Sequence, residues 1–115
     1  MKLILSVDKK NEAERMVLIC IIGLLDSLEN NLLTIEECEG YLFSPYSVTI
    51  LKEKNLDSQV IEILELGCEL EDVQSLLPDK LQAEIQDLKA RAKECLKKSL
   101  NSSNQYQVQN WLEKQ

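Results

Sequence analysis

Apolar residues in this chain concentrate in one place and recur there at helical spacing. From about Lys9 to Asn30 they fall at positions 13, 16, 17, 20, 21, 24, 25 and 28, the three-and-four rhythm of a helix. At its centre, Met16 to Leu25 is ten residues without a charge or a hydrogen-bonding side chain beyond a thiol. Val17, Leu18, Ile19, Ile21 and Ile22 widen the stripe until it nearly encircles the helix, and such a helix is buried on several sides. Gly23 interrupts it at a cost of about 1 kcal/mol relative to alanine. That cost predicts another helix backbone passing close to Gly23. The run is short of the roughly 20 residues a bilayer needs, so it reads as the central core element and not a membrane span.

A second pattern lies near the end. Leu81, Ile85, Leu88, Ala92, Cys95, Leu96 and Ser99 form a narrow stripe, as on one member of a bundle or a dimer seam. Pro78-Asp79 opens this helix, and Lys97 and Lys98 suit its C-terminal end. A third, weaker pattern is the alternation of Leu3, Leu5 and Val7 within Lys2–Val7, which reads as a short strand. No partner strand is visible. Such a segment pairs with another chain, docks as an extended arm, or is no strand at all, and all three stay open.

Punctuation divides the middle. Asp8 is placed to cap the first helix, and Asn30-Asn31 to end it. Thr34 and Glu37 form a capping box before a short helix to Tyr41 or Leu42. Ser44 caps and Pro45 starts a helix reaching Lys54. Asp57 caps Ser58–Leu66, with Gly67 as its C-terminal glycine. Glu69 to Leu77 is a further short helix, closed by Pro78. The expectation is an all-α fold: a compact bundle of about five or six helices around a central apolar helix. Residues 1–100 form one helical domain. Residues 101–115 form a polar tail with room for a short terminal helix, on which Trp111 and Leu112 are able to fold back onto the body.

Charge changes the picture more than composition does. Of 115 residues, 44% are hydrophobic and 29% charged, as in ordinary globular proteins, and three glycines with two prolines favour helix. Net charge is −7, but residues 26–79 carry thirteen acids against two bases, Lys52 and Lys54. This acidic middle repels phosphate, which argues against nucleic acid and for a basic protein partner. Four cysteines at 20, 38, 68 and 95 lie among apolar neighbours, none at zinc-knuckle spacing, and histidine is absent. They read as reduced thiols in a cytoplasm. Met1–Val7 is too short for a secretory apolar region. The sequon Asn101-Ser102-Ser103 therefore carries no weight.

Candidate chemistry is sparse. Asp26 to Glu37 has the length of a calcium loop, but Leu28 and Asn31 stand where an oxygen ligand and a glycine are required. Glu62, Glu65, Glu69 and Asp72 form one acidic stripe if helix persists past Gly67. That stripe is a solvated face, a docking surface for a basic protein, or, least of all, a metal or catalytic site. Tyr41, Phe43 and Tyr46, three of five aromatics, are a binding patch or a corner that seals the core. Without histidine no nucleophile–base pair assembles, and no glycine-rich phosphate loop is present. No cofactor is implied and the chain reads as a non-enzyme.

Gly23-Leu24-Leu25-Asp26-Ser27-Leu28-Glu29, Thr34-Ile35-Glu36-Glu37, Leu42-Phe43-Ser44-Pro45 and Gly67-Cys68-Glu69-Leu70-Glu71-Asp72 in this order resemble a family of small bacterial proteins described only as a domain of unknown function. The resemblance covers most of residues 3–98 and leaves the tail outside. It implies a bacterial cytoplasmic protein and transfers no activity or site residue. In class, though not in sequence, the chain is also similar to small acidic helical immunity proteins that neutralise nuclease toxins. Their tyrosine-rich recognition helix has its nearest counterpart in Tyr41–Tyr46, which lacks that motif's pattern. The functional expectation is a non-enzymatic protein-interaction module, homodimeric through the N-terminal segment or the final helix. The alternatives are an acidic inhibitor of a basic protein and, last, a carboxylate enzyme.

Overall fold

In a computed structural model, which describes residues 1–101 and 110–114, four helices make the body: α1 (Lys10–Glu29), α3 (Pro45–Glu53), α4 (Ser58–Cys68) and α6 (Leu81–Asn101). Between them α2 (Ile35–Tyr41) and α5 (Leu70–Leu76) are seven-residue connectors, and a 3-10 turn, Pro78–Lys80, leads into α6. The fold is all-helical, but the expected bundle of about five or six helices reduces to four, because two of the helical segments are barely two turns long and serve as connectors. No strand forms among the described residues. The radius of gyration is 14.6 Å, close to the roughly 13 Å of a compact domain this size.

Local chemistry sets most helix ends. Thr34 accepts from the Glu37 N–H at 3.1 Å while the Glu37 carboxylate accepts from the Thr34 N–H at 3.0 Å, a complete capping box. Ser44 accepts from the Ser47 N–H, with Pro45 first in α3. Asp57 accepts from the Gln59 N–H at 2.8 Å. Helices α1 and α3 both end on an asparagine with positive φ, Asn31 at 60° and Asn55 at 57°. The N–H groups of Leu32 and Leu56 then reach back to the carbonyls of Ser27 and Leu51, the Schellman closure that left-handed asparagine permits. One cap differs from expectation. Lys9, not Asp8, is the N-cap of α1 and makes no side-chain cap, because Asp8 stays one residue out in the extended arm.

Helix α6 runs antiparallel along α1. Arg15 donates to the Ser99 hydroxyl at 2.6 Å near one end, and Lys89 pairs with Asp26 at 2.9 Å and with Glu29 near the other. The core between them and α4 comprises Leu18, Ile21, Leu25, Ile63, Leu64, Ile85, Leu88 and Ala92, all at most 2% exposed. Each fully buried aliphatic side chain of this set is worth about 1.5–3 kcal/mol of transfer free energy.

Two glycines depart from the sequence reading. Gly67 does not end α4, which continues to Cys68. It is buried, and a Cβ there would lie 3.3 Å from the Phe43 ring. At Gly23, where a close backbone was expected, nothing lies within 4 Å of a Cβ position. The outer side of α1 is uncovered, with Gly23 exposed and Ile19 39% exposed.

The termini meet. Leu5 and Leu112 form an isolated antiparallel bridge. The Ser6 N–H donates to the Trp111 carbonyl at 2.8 Å and the Glu113 N–H to the Ile4 carbonyl at 2.9 Å. The strand expected at Lys2–Val7 is thus reduced to one bridge. Positions 102–109 of the tail, Tyr106 among them, and the end of the sequon lie outside the described residues.

Candidate functional site

A feature left open by the fold follows from the shape of α1. Cys20, Gly23 and Ser27 are three and four residues apart, so three small side chains share its outer face. Beside this flattened strip the end of α2 brings Tyr41 and Leu42. With Leu24 these residues line a shallow groove of about 420 Å³ that no charged side chain enters. Tyr41 stands 64% exposed at its edge. The Cys38 thiol beneath reaches toward the Leu24 carbonyl at 4.0 Å, which ties α2 to α1.

The sequence candidates do not stay together. Phe43 is 2% exposed and packs on Gly67, sealing the core, whereas Tyr41 and Tyr46 face water, the latter at 76%. The aromatic cluster divides into one core residue and two surface residues. The acidic stripe divides too. Glu69 sits at the break between α4 and α5, so Glu62 and Glu65 belong to one helix and Asp72 to another. Glu62 pairs with Arg91 at 3.2 Å and Glu65 with Lys52 at 3.5 Å. All four carboxylates are exposed.

A closer carboxylate contact forms elsewhere. Glu39 on α2 hydrogen-bonds to Glu71 on α5, and this shared bond raises the Glu39 carboxyl above the usual carboxylate range. Partial burial and the charges of Glu71, Glu36 and Asp72 add to the rise. Two residues far apart in sequence meet here, so helical spacing alone has no signal for the pair. The small residues at 20, 23 and 27 do share one helix face in the sequence, but there Gly23 reads as a point of close backbone approach and not as part of a groove.

The four thiols are unpaired. Burial is the first cause that pushes each of them up, so they are protonated at neutral pH. Among the described residues no group of three or more cysteines and carboxylates is arranged to hold a metal ion. No described helix is long and apolar enough to cross a membrane.

Fold and groove define a small acidic helical domain with an uncharged recess on its central helix. The chain belongs to the family described as protein of unknown function (DUF3969), which it matches over residues 8–113. The match extends through the tail, beyond the span suggested by the sequence motifs, and so takes in the segment that clasps the N-terminal arm. No curated protein and no solved structure matches the chain.

Proposed function

We propose that this chain is a non-enzymatic protein-interaction module of the reducing cytoplasm that works as a homodimer and holds a protein partner in the α1–α2 groove. The observation that carries the reading is the groove itself: a charge-free recess on the helix that holds the ten-residue uncharged run, edged by an exposed tyrosine. Apolar surface of this kind gains about 25 cal/mol per Å² when covered, and tyrosine is favoured at binding hot spots. Helix α2 contributes Glu36, Glu37 and Glu39 and no base. The matching partner is an apolar helix flanked by lysine or arginine. That the four cysteines form no disulfide is in keeping with that compartment.

Cys20 lines the groove, whereas Cys95 lies between α4 and α6. Occupancy is therefore measurable as the ratio of Cys20 to Cys95 alkylation in intact cells and in purified protein. The reading expects Cys20 to be selectively protected in cells. An equal ratio in both would break it. Sedimentation velocity tests the homodimer, and a strict monomer at high micromolar concentration would break that half.

One observation favours a second reading, an acidic inhibitor of a basic protein. Glu39 shares a hydrogen bond with Glu71, and among the described residues neither forms a salt bridge; a lysine or arginine from a partner would relieve that contact. That mode predicts an affinity that falls steeply with salt. Carboxylate catalysis has less support, since Glu39 lines none of the grooves described above.

A further inference from the structure

The bridge that joins the two ends of the chain leaves one edge open, and its side chains say what fits there. Ile4 and Ser6 turn their backbone groups toward residues 111–113, through the Glu113 N–H to Ile4 carbonyl and Ser6 N–H to Trp111 carbonyl bonds. Successive residues of an extended strand alternate in direction, so Leu3, Leu5 and Val7 turn their N–H and C=O groups the other way. None of these backbone groups has a hydrogen-bond partner among the described residues. On the opposite edge the Leu112 N–H is already engaged, donating to the Asn110 side-chain oxygen at 2.9 Å. On the open strand Leu3 is 70% and Leu5 50% exposed.

We propose that the open edge of residues 2–8 pairs antiparallel with the same edge of a second copy, on a two-fold axis through Leu5. The inference rests on the homodimer reading above and supplies its joint. The axis passes through one of residues 3–7, at a hydrogen-bonded or a non-hydrogen-bonded pair. Centring on Ile4 sets Lys2 against Ser6 and leaves Asp8 with no residue opposite, and centring on Ser6 sets Ile4 against Asp8. Centring on Leu3 sets Lys2 against Ile4, and centring on Val7 sets Leu5 against Lys9. Centring on Leu5 sets Leu5 against itself, Leu3 against Val7 and Lys2 against Asp8 at both ends. Every apolar residue of the outward set then meets an apolar residue and each charge meets its opposite. Lys2 and Asp8 are both exposed. They occupy the non-hydrogen-bonded positions, where cross-strand side chains come closest. The product is a short four-stranded ribbon, one tail segment at each outer edge, with both acidic middles outside the joint.

The test is sedimentation of the full chain from low to high micromolar concentration, wild type beside Lys2→Asp, Asp8→Lys, the double swap and Leu5→Pro. Each single reversal places like charges opposite each other and is expected to weaken the dimer roughly tenfold. The double swap restores it. Leu5→Pro removes only the outward N–H, since the clasp uses Ile4 and Ser6, and leaves a monomer that still folds. Oxidation of a Leu5→Cys variant is expected to give a 5–5 crosslink, because a hydrogen-bonded pair spaces its Cα atoms about 5.5 Å apart, within disulfide reach. If wild type is a monomer throughout, the homodimer reading falls and this joint with it. If wild type dimerises but ignores the reversals and the proline, the joint is wrong while the homodimer stands. Singles that weaken without rescue by the double swap overturn the register.

Discussion

Gly23 and Gly67 both interrupt apolar helices, and their surroundings are opposite. At Gly67 the ring of Phe43 occupies the space a side chain would need, and the glycine permits α4 to close onto the segment after α2. At Gly23 the space beyond is empty, and the missing side chain deepens a groove instead of admitting a neighbour. A glycine in a helix costs the same backbone entropy in either place. What it gains is decided by the neighbour: packing at Gly67, an open recess at Gly23. The difference separates a position that serves the fold from one that serves a surface.

Four substitutions break or sharpen that contrast. Phe43→Ala removes the ring that covers Gly67 and is expected to cost about 3–5 kcal/mol in a urea titration. A cost below 1 kcal/mol would show that the Phe43–Gly67 contact is not part of the core. Next comes Gly67→Leu, which overpacks the same contact and is expected to cost about 1–3 kcal/mol. Gly23→Ala should do the reverse and stabilise by about 0.5–1 kcal/mol, since nothing meets the new methyl group and helix propensity improves. Loss of stability at Gly23 would mean that something in the monomer does approach it.

The smallest expected effect lies in α2, which borders both regions. Glu39 holds its proton more tightly when folded, so its favourable contribution is present at low pH and is lost as pH rises through its raised value. Glu39→Gln is therefore expected to raise the melting temperature slightly at neutral pH and leave it unchanged in acid. Glu29 behaves oppositely. Its hydrogen bond to Lys89 lowers its carboxyl, so that contribution is present at neutral pH and is lost on acidification. A Glu39→Gln melting profile parallel to wild type at every pH would remove the Glu39–Glu71 contact from the account.

Much of the chain was legible because its signals are local. The Thr34–Glu37 box, Ser44-Pro45 and the Asp57 cap act within a few residues, so their meaning does not depend on what lies across the fold. The stripe from Leu81 to Ser99 has one apolar side, and so it named the face that packs. The segments of α2 and α5 were legible as short helices, since their caps and breakers are local; that they only connect the four body helices is a property of the whole bundle.

The sequence by itself determined an all-helical domain, its caps at Thr34, Ser44 and Asp57, an acidic middle and a central apolar helix. Only the tertiary structure decided which side of that helix is covered, because a helix apolar all round carries no internal sign of direction. It also decided that Gly67 and not Gly23 receives a close neighbour, that Phe43 leaves the two tyrosines, and that Glu39 meets Glu71. The pairing of Leu5 with Leu112 belongs to the same group. Each of these is a contact between residues distant in the chain, and helical periodicity reports only on neighbours three and four apart.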